Sequence, residues 1–214
     1  QDNGELLLDK EDYRYLLDFI KVKKKKSKFD VTVAITRKKA PSIFEQELTE
    51  LHIPVIDLSG DSYLTMLRKQ IAYLRRERPD VVHTNIGSVL HIMVATKLIG
   101  VQTKLHTMHN QPAYSLAKNK IHRFIYKMAL TLFGYHPVAI SDNIAQAVCE
   151  CFSLPEEKVH IVNNGVDTSK FFKADKQVNN KIQIISTGGM RSVKNQKGLI
   201  EAFGDLYSRN TNVH

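Results

Sequence analysis

Three stretches of this 214-residue sequence run from apolar or β-branched residues into groups that can hold a polar ligand: RPDVVHTN (78–85), TKLHTMHN (103–110) and HPVAIS (136–141). Imidazole, hydroxyl and carboxamide groups orient polar substrates by hydrogen bonding, and a histidine can also hold or move a proton near neutral pH. A fourth stretch, KIQIIST, leads into Gly188 and Gly189 and then Arg191 and Lys194. Guanidinium and ammonium groups beside glycine-rich backbone suit an anionic group, because they stabilise its charge while the glycines permit close approach.

Five histidines, His83, His91, His106, His109 and His122, raise the question of a metal. They form no recognised ligand motif, and a parallel sheet would scatter them, so neither a metal nor another resident cofactor is expected.

Alternating short strands and amphipathic helices must carry these groups. The sequence predicts a helix over 11–26, acidic at its start and basic at its end as the helix dipole favours, and then a β-branched strand over 29–36. Helix signals follow in PSIFEQELTEL and YLTMLRKQIAYL, the latter with Leu64, Leu67, Ile71 and Leu74 on one face, and again in SVLHIMVATKLI, which stops at Gly100. Strand signals fall at IPVIDL, DVVHT, TKLHTMH, HPVAIS and EKVHIV. Ser141 is placed to cap a helix whose stripe is Ile144, Ala147, Val148 and Cys151.

That alternation predicts an α/β fold with a doubly wound parallel sheet, whose ligands bind beyond the carboxyl ends of the strands. His83, Thr84 and Asn85, residues 107–110 including His109, and Ser141 are candidates by position. Residues 173–180, KADKQVNN, are polar and unpatterned and read as a linker. It separates a domain over 1–172 from the start of a second at 181–214, where a strand is followed by a helix with the stripe Leu199, Ala202, Phe203 and Leu206.

Composition narrows the partners. A net charge of +9 favours anionic ligands or surfaces. Lys21, Lys23 to Lys26 and Lys28 form one basic group, Arg68, Lys69, Arg75, Arg76 and Arg78 a second, and Lys118, Lys120, Arg123 and Lys127 a third. These read as solvated helix faces, or as contacts for anionic lipid head groups. No nucleic-acid-binding motif is present, so a nucleic-acid partner is not expected. Cys149 and Cys151 are too close for an ordinary disulfide, no apolar run reaches the ~20 residues of a membrane span, and a cytoplasmic location is expected.

The ordered segments RPDVVHTN, KLHTMHN, VAIS, EKVHIVNNGVDTSKFF and IISTGGMRSVKNQKGLIEAF resemble the GT-B glycosyltransferases, specifically the retaining, nucleotide-sugar-dependent enzymes of glycosyltransferase family 4, over about residues 29–214. The resemblance implies a Rossmann-like, acceptor-side GT-B domain followed by a truncated second Rossmann-like domain, with the family's first strand and glycine-rich loop preceding Gln1 and most of the donor domain, including its paired glutamates, following His214.

It further implies that Asn164 and Gly165 belong to the turn closing the first domain, at the interdomain cleft, with Gly165 supplying backbone freedom. His109 approaches the donor sugar, and Gly188, Gly189, Arg191 and Lys194 bind the donor diphosphate. The expected partners are a nucleotide-sugar donor, a glycan, polysaccharide or lipid-linked acceptor, and a peripheral contact with the cytoplasmic membrane face. A fragment of this extent is expected to be inactive alone. Two alternatives stand beside this reading, a non-catalytic acceptor- or anionic-surface-binding module and a nucleotide-sugar epimerase of the same architecture.

Overall fold

The computed structural model describes residues 30–36, 44–112, 119–165, 184–187 and 194–209. The helix expected over 11–26, its lysines, and the linker at 173–180 lie outside the described residues. The chain divides into two compact units, Gln1–Asp167 and Thr168–His214.

The first unit alternates strand and helix: β1 (Val33–Ile35), α1 (Phe44–Glu50), β2 (Val55–Asp57), α2 (Tyr63–Glu77), β3 (Val81–Asn85), α3 (Val89–Ile99), β4 (Thr103–Met108), α4 (Lys120–Thr131), β5 (His136–Ala139), α5 (Asp142–Phe152) and β6 (His160–Ile161). Every strand pair is parallel. β1 and β2 make one sheet, and β3-β4-β5-β6, in that order, make a second. The unit is therefore an α/β domain of parallel sheets and helices, the Rossmann-like class read from the alternation.

Local chemistry sets the helix limits. Ser62 accepts the amide of Thr65 at the start of α2. Ser141 accepts that of Ile144 at the start of α5, the cap expected of it. α3 ends where Gly100 takes a left-handed backbone, φ 75°, and its N–H reaches the Lys97 carbonyl. Glycine enters that conformation without a steric penalty.

Helix α4 falls in the basic segment to which the sequence assigned no element. Asn119 caps it through the His122 amide, and Tyr126, Ala129 and Leu130 form its buried stripe. Lysine and arginine on its other faces obscure that stripe in the sequence.

The main core joins α3, α4 and α5 to one face of the second sheet, through Val89 and Met93, Tyr126 and Leu130, Val148 and Phe152, and Met108 and Ala139. The Tyr126 and Phe152 rings stack at 6.5 Å. Along α5 the inward line is Ala145, Val148 and Phe152, with Ile144 and Cys151 packed beside it, so Cys151 touches the core without being buried. Along α2 it is Met66, Gln70 and Leu74. Leu67 and Ile71 flank this line, but Leu64, on the first turn, is exposed, contrary to its expected place on the packed face.

In the second unit, α6 (Gln196–Arg209) forms as expected, although none of its residues is buried. Residues 184–187 carry no strand and are exposed, contrary to the strand expected from KIQIIST. A strand is held by hydrogen bonds to a neighbour, and no partner strand exists for this segment among the described residues.

Phe152 is fully buried, so Phe152→Ala should lose about 3–5 kcal/mol of unfolding free energy in urea titrations. Leu64→Ala should shift it by less than about 0.5 kcal/mol.

Candidate functional site

The register of β3 with β4 sets Thr84 opposite His106 and Asn85 opposite Thr107. Because side chains alternate along a strand, the ladder sorts the polar groups onto two faces.

On the helix-packed face, the Thr84 hydroxyl donates to the Leu105 carbonyl at 3.0 Å. Its single proton is thereby used, so Thr84 Oγ1 accepts from Nδ1–H of His106 at 2.9 Å, which fixes the tautomer of a neutral ring. His106 is 1% exposed and lies against Tyr126, ring centroids 5.5 Å apart. Burial, followed by the nearby His83 and His109, pushes its pKa down to about 3. Burial raises that of Tyr126 to about 12, so both groups are neutral across the physiological range.

On the opposite face, His83 Nε2 lies 2.7 Å from Thr107 Oγ1. His83 is held below the ordinary histidine range by desolvation and then by His109, although the residue has an exposed edge. Just beyond the strand end, Nε2–H of His109 donates to Asn85 Oδ1 at 3.1 Å. Asn85 is itself clamped, since its N–H donates to Ser88 Oγ and the Ser88 hydroxyl donates back to its carbonyl at 2.6 Å. A neutral His109 ring held this way carries its lone pair on Nδ1.

The structure thus brings His83, Asn85, Thr107 and His109 together at the carboxyl ends of β3 and β4, as the sequence placed them. Asn110 is exposed there, and Ser141 is committed to capping α5. Asn164 and Gly165 follow β6, the asparagine half-buried and the glycine exposed. Gly165 does not adopt a left-handed backbone, and a Cβ there would meet open space, so the backbone freedom expected of it is not used. Gly188, Gly189 and Arg191 lie outside the described residues, and Lys194 is exposed in the second unit.

The spacing of single residues did not reveal Asn85 as the holder of His109. The pairing of β3 with β4 reveals it, once Asn85 is seen to end one strand beside the end of the other.

A domain of parallel sheets and helices with hydroxyl, carboxamide and imidazole groups at its strand ends is of the Rossmann-like class. Residues 15–170, well over half of the chain, match the family model for Glycosyltransferase Family 4, and the chain belongs to that family. No protein of curated function matches it. It is therefore a domain of glycosyltransferase type, a class that takes a sugar donor and an acceptor.

The depressed pKa of His106 makes stability pH-dependent with a definite sign. An unfolded chain protonates this ring near pH 6.5 and the folded one only near pH 3, so its contribution is full above about 6.5 and is lost as pH falls toward 3. The slope is about 1.4 kcal/mol per pH unit. Urea unfolding of the protein and of His106→Asn, compared across that window, should show the variant lacking this component.

Proposed function

We propose that the chain is the acceptor-side domain, with the opening of the donor-side domain, of a retaining, nucleotide-sugar-dependent glycosyltransferase of GT-B architecture. The first domain extends through about residue 172 and the linker occupies 173–180. The family match supports the transfer of a sugar, and the Asn85–His109 pair is the observation that carries the assignment of its chemistry.

Transfer from a nucleotide sugar breaks the bond between the anomeric carbon and the diphosphate oxygen, so negative charge grows on the leaving group and positive character on the sugar. Gly188, Gly189, Arg191 and Lys194 take the diphosphate, where cationic donors stabilise the charge that grows in the transition state more than that of the ground state. His109, oriented by Asn85, contacts the donor sugar beside the reacting carbon. The acceptor hydroxyl attacks from the face the diphosphate leaves, its proton passes to a phosphate oxygen, and the configuration is retained without an enzyme carboxylate as nucleophile. No metal and no resident cofactor takes part. Asn164 and Gly165 belong to the connection between the two domains.

The membrane reading has its own support. On α4, Ile121 and Phe124 are exposed next to Lys120, Arg123 and Lys127. Cations with apolar side chains between them suit the surface of an anionic bilayer. A peripheral contact there would bring a lipid-linked acceptor to a cytoplasmic enzyme.

Three outcomes test the reading in the full reading frame that contains this chain. His109→Ala should lower kcat by about a hundredfold or more at unchanged folding. Arg191→Ala and Lys194→Ala should each lower kcat/KM for the nucleotide sugar by about ten- to a hundredfold. Co-sedimentation with phosphatidylserine vesicles should be lost at high salt and weakened by Phe124→Ser, whereas binding that ignores both salt and the substitution contradicts the membrane contact.

A further inference from the structure

Between β3 and α3 the chain makes a single 3₁₀ turn, Ile86–Ser88, and Asn85 stands at its start with an extended backbone, φ −126° and ψ 147°. Asn85 and Ser88 close this turn as a capping box. The Asn85 N–H donates to Ser88 Oγ at 3.0 Å, and the Asn85 side chain is turned to the Ser88 N–H. The proton of the Ser88 hydroxyl goes back to the Asn85 carbonyl at 2.6 Å, so one hydroxyl grips the Asn85 backbone on both sides.

A carboxamide ends in an oxygen and a nitrogen of nearly equal size and opposite hydrogen-bonding sense. Which of the two meets His109 decides the tautomer of that ring. Oδ1 calls for an N–H at Nε2, whereas Nδ2 would call for a lone pair there. The capping box makes the choice, because a backbone N–H only donates and a side chain turned to it must present its oxygen. The same oxygen lies 3.1 Å from His109 Nε2. The ring therefore carries its proton on Nε2 and its acceptor on Nδ1.

The neighbouring chemistry leaves that arrangement undisturbed. Thr107 lies opposite Asn85 in the register, but its hydroxyl is engaged by His83 at 2.7 Å. The two diagonal pairs, His83 with Thr107 and Asn85 with His109, thus run side by side across the same face of β3 and β4, each histidine with its own partner.

We infer that Ser88 is a positioning residue for His109 and acts through Asn85. Its hydroxyl and its N–H hold the Asn85 backbone and carboxamide so that Oδ1 faces Nε2, which sets one tautomer and one ring orientation before a substrate arrives. That this orientation serves turnover rests on the transferase reading, whereas the tautomer itself does not.

Ring-15N-histidine labelling of the chain reads the tautomer directly, since two-bond 1H–15N correlations differ between Nε2–H, Nδ1–H and doubly protonated rings. His109 is assigned by His109→Gln, and the Nδ1–H pattern of the buried His106 reports on folding. His109 should show the Nε2–H pattern, Ser88→Ala should spread it over both tautomers, and Ser88→Thr, which keeps a hydroxyl, should retain it. In the full reading frame Ser88→Ala should lower kcat about tenfold with KM within about twofold, and it should add nothing to the loss caused by Asn85→Ala. An unchanged Nε2–H pattern in Ser88→Ala, or kcat losses that multiply in the double variant, overturns the positioning role. If alanine also costs the His106 pattern, Ser88→Cys is read by the same two outcomes. Absence of transfer by the unsubstituted enzyme, with the tautomer responding as stated, overturns the transferase reading alone.

Discussion

The parallel pairing of β3 with β4 is the constraint on which the first unit depends. Its register places Thr84 against His106 inside the helix-packed face and Asn85 beside Thr107 and His109 at the open end. A slip of one residue would reverse both sets, burying His83 and Asn85 in an apolar layer and exposing His106. The Thr84 hydroxyl resists such a slip, because it bridges the Leu105 carbonyl and the His106 ring in one arrangement only. One polar contact inside the core therefore fixes the geometry of the polar groups outside it.

The two faces divide the work. Tyr126, Phe152 and Val148 supply apolar burial behind the sheet, where His106 stays neutral and hydrogen-bonded. The site side keeps its imidazoles at the strand ends, where His109 is turned by an asparagine that is itself clamped by Ser88. Orientation is thus passed from backbone to carboxamide to imidazole, which is how a site on a rigid scaffold holds a group ready before a substrate arrives.

Much of this architecture was legible in the sequence, because short β-branched runs and 3.6-residue stripes carry the burial pattern directly. DVVHT and TKLHTMH became β3 and β4 within a residue or two, and Ser141 and Gly100 took their expected capping roles. Helix α4 was hidden by Lys120, Arg123 and Lys127, whose charge says nothing about the face turned inward. Leu64 and residues 184–187 show the opposite limit, since apolarity alone fixes neither burial nor a strand.

Family membership and the strand-end geometry together make sugar transfer, with His109 beside the donor sugar, the account to be tested. The most direct measurement is the anomeric configuration of the product, read from the proton coupling at its new glycosidic carbon after turnover by the full reading frame. The account predicts an intact glycosidic bond with the configuration of the donor. An inverted bond, or release of free sugar with no acceptor product, would contradict it.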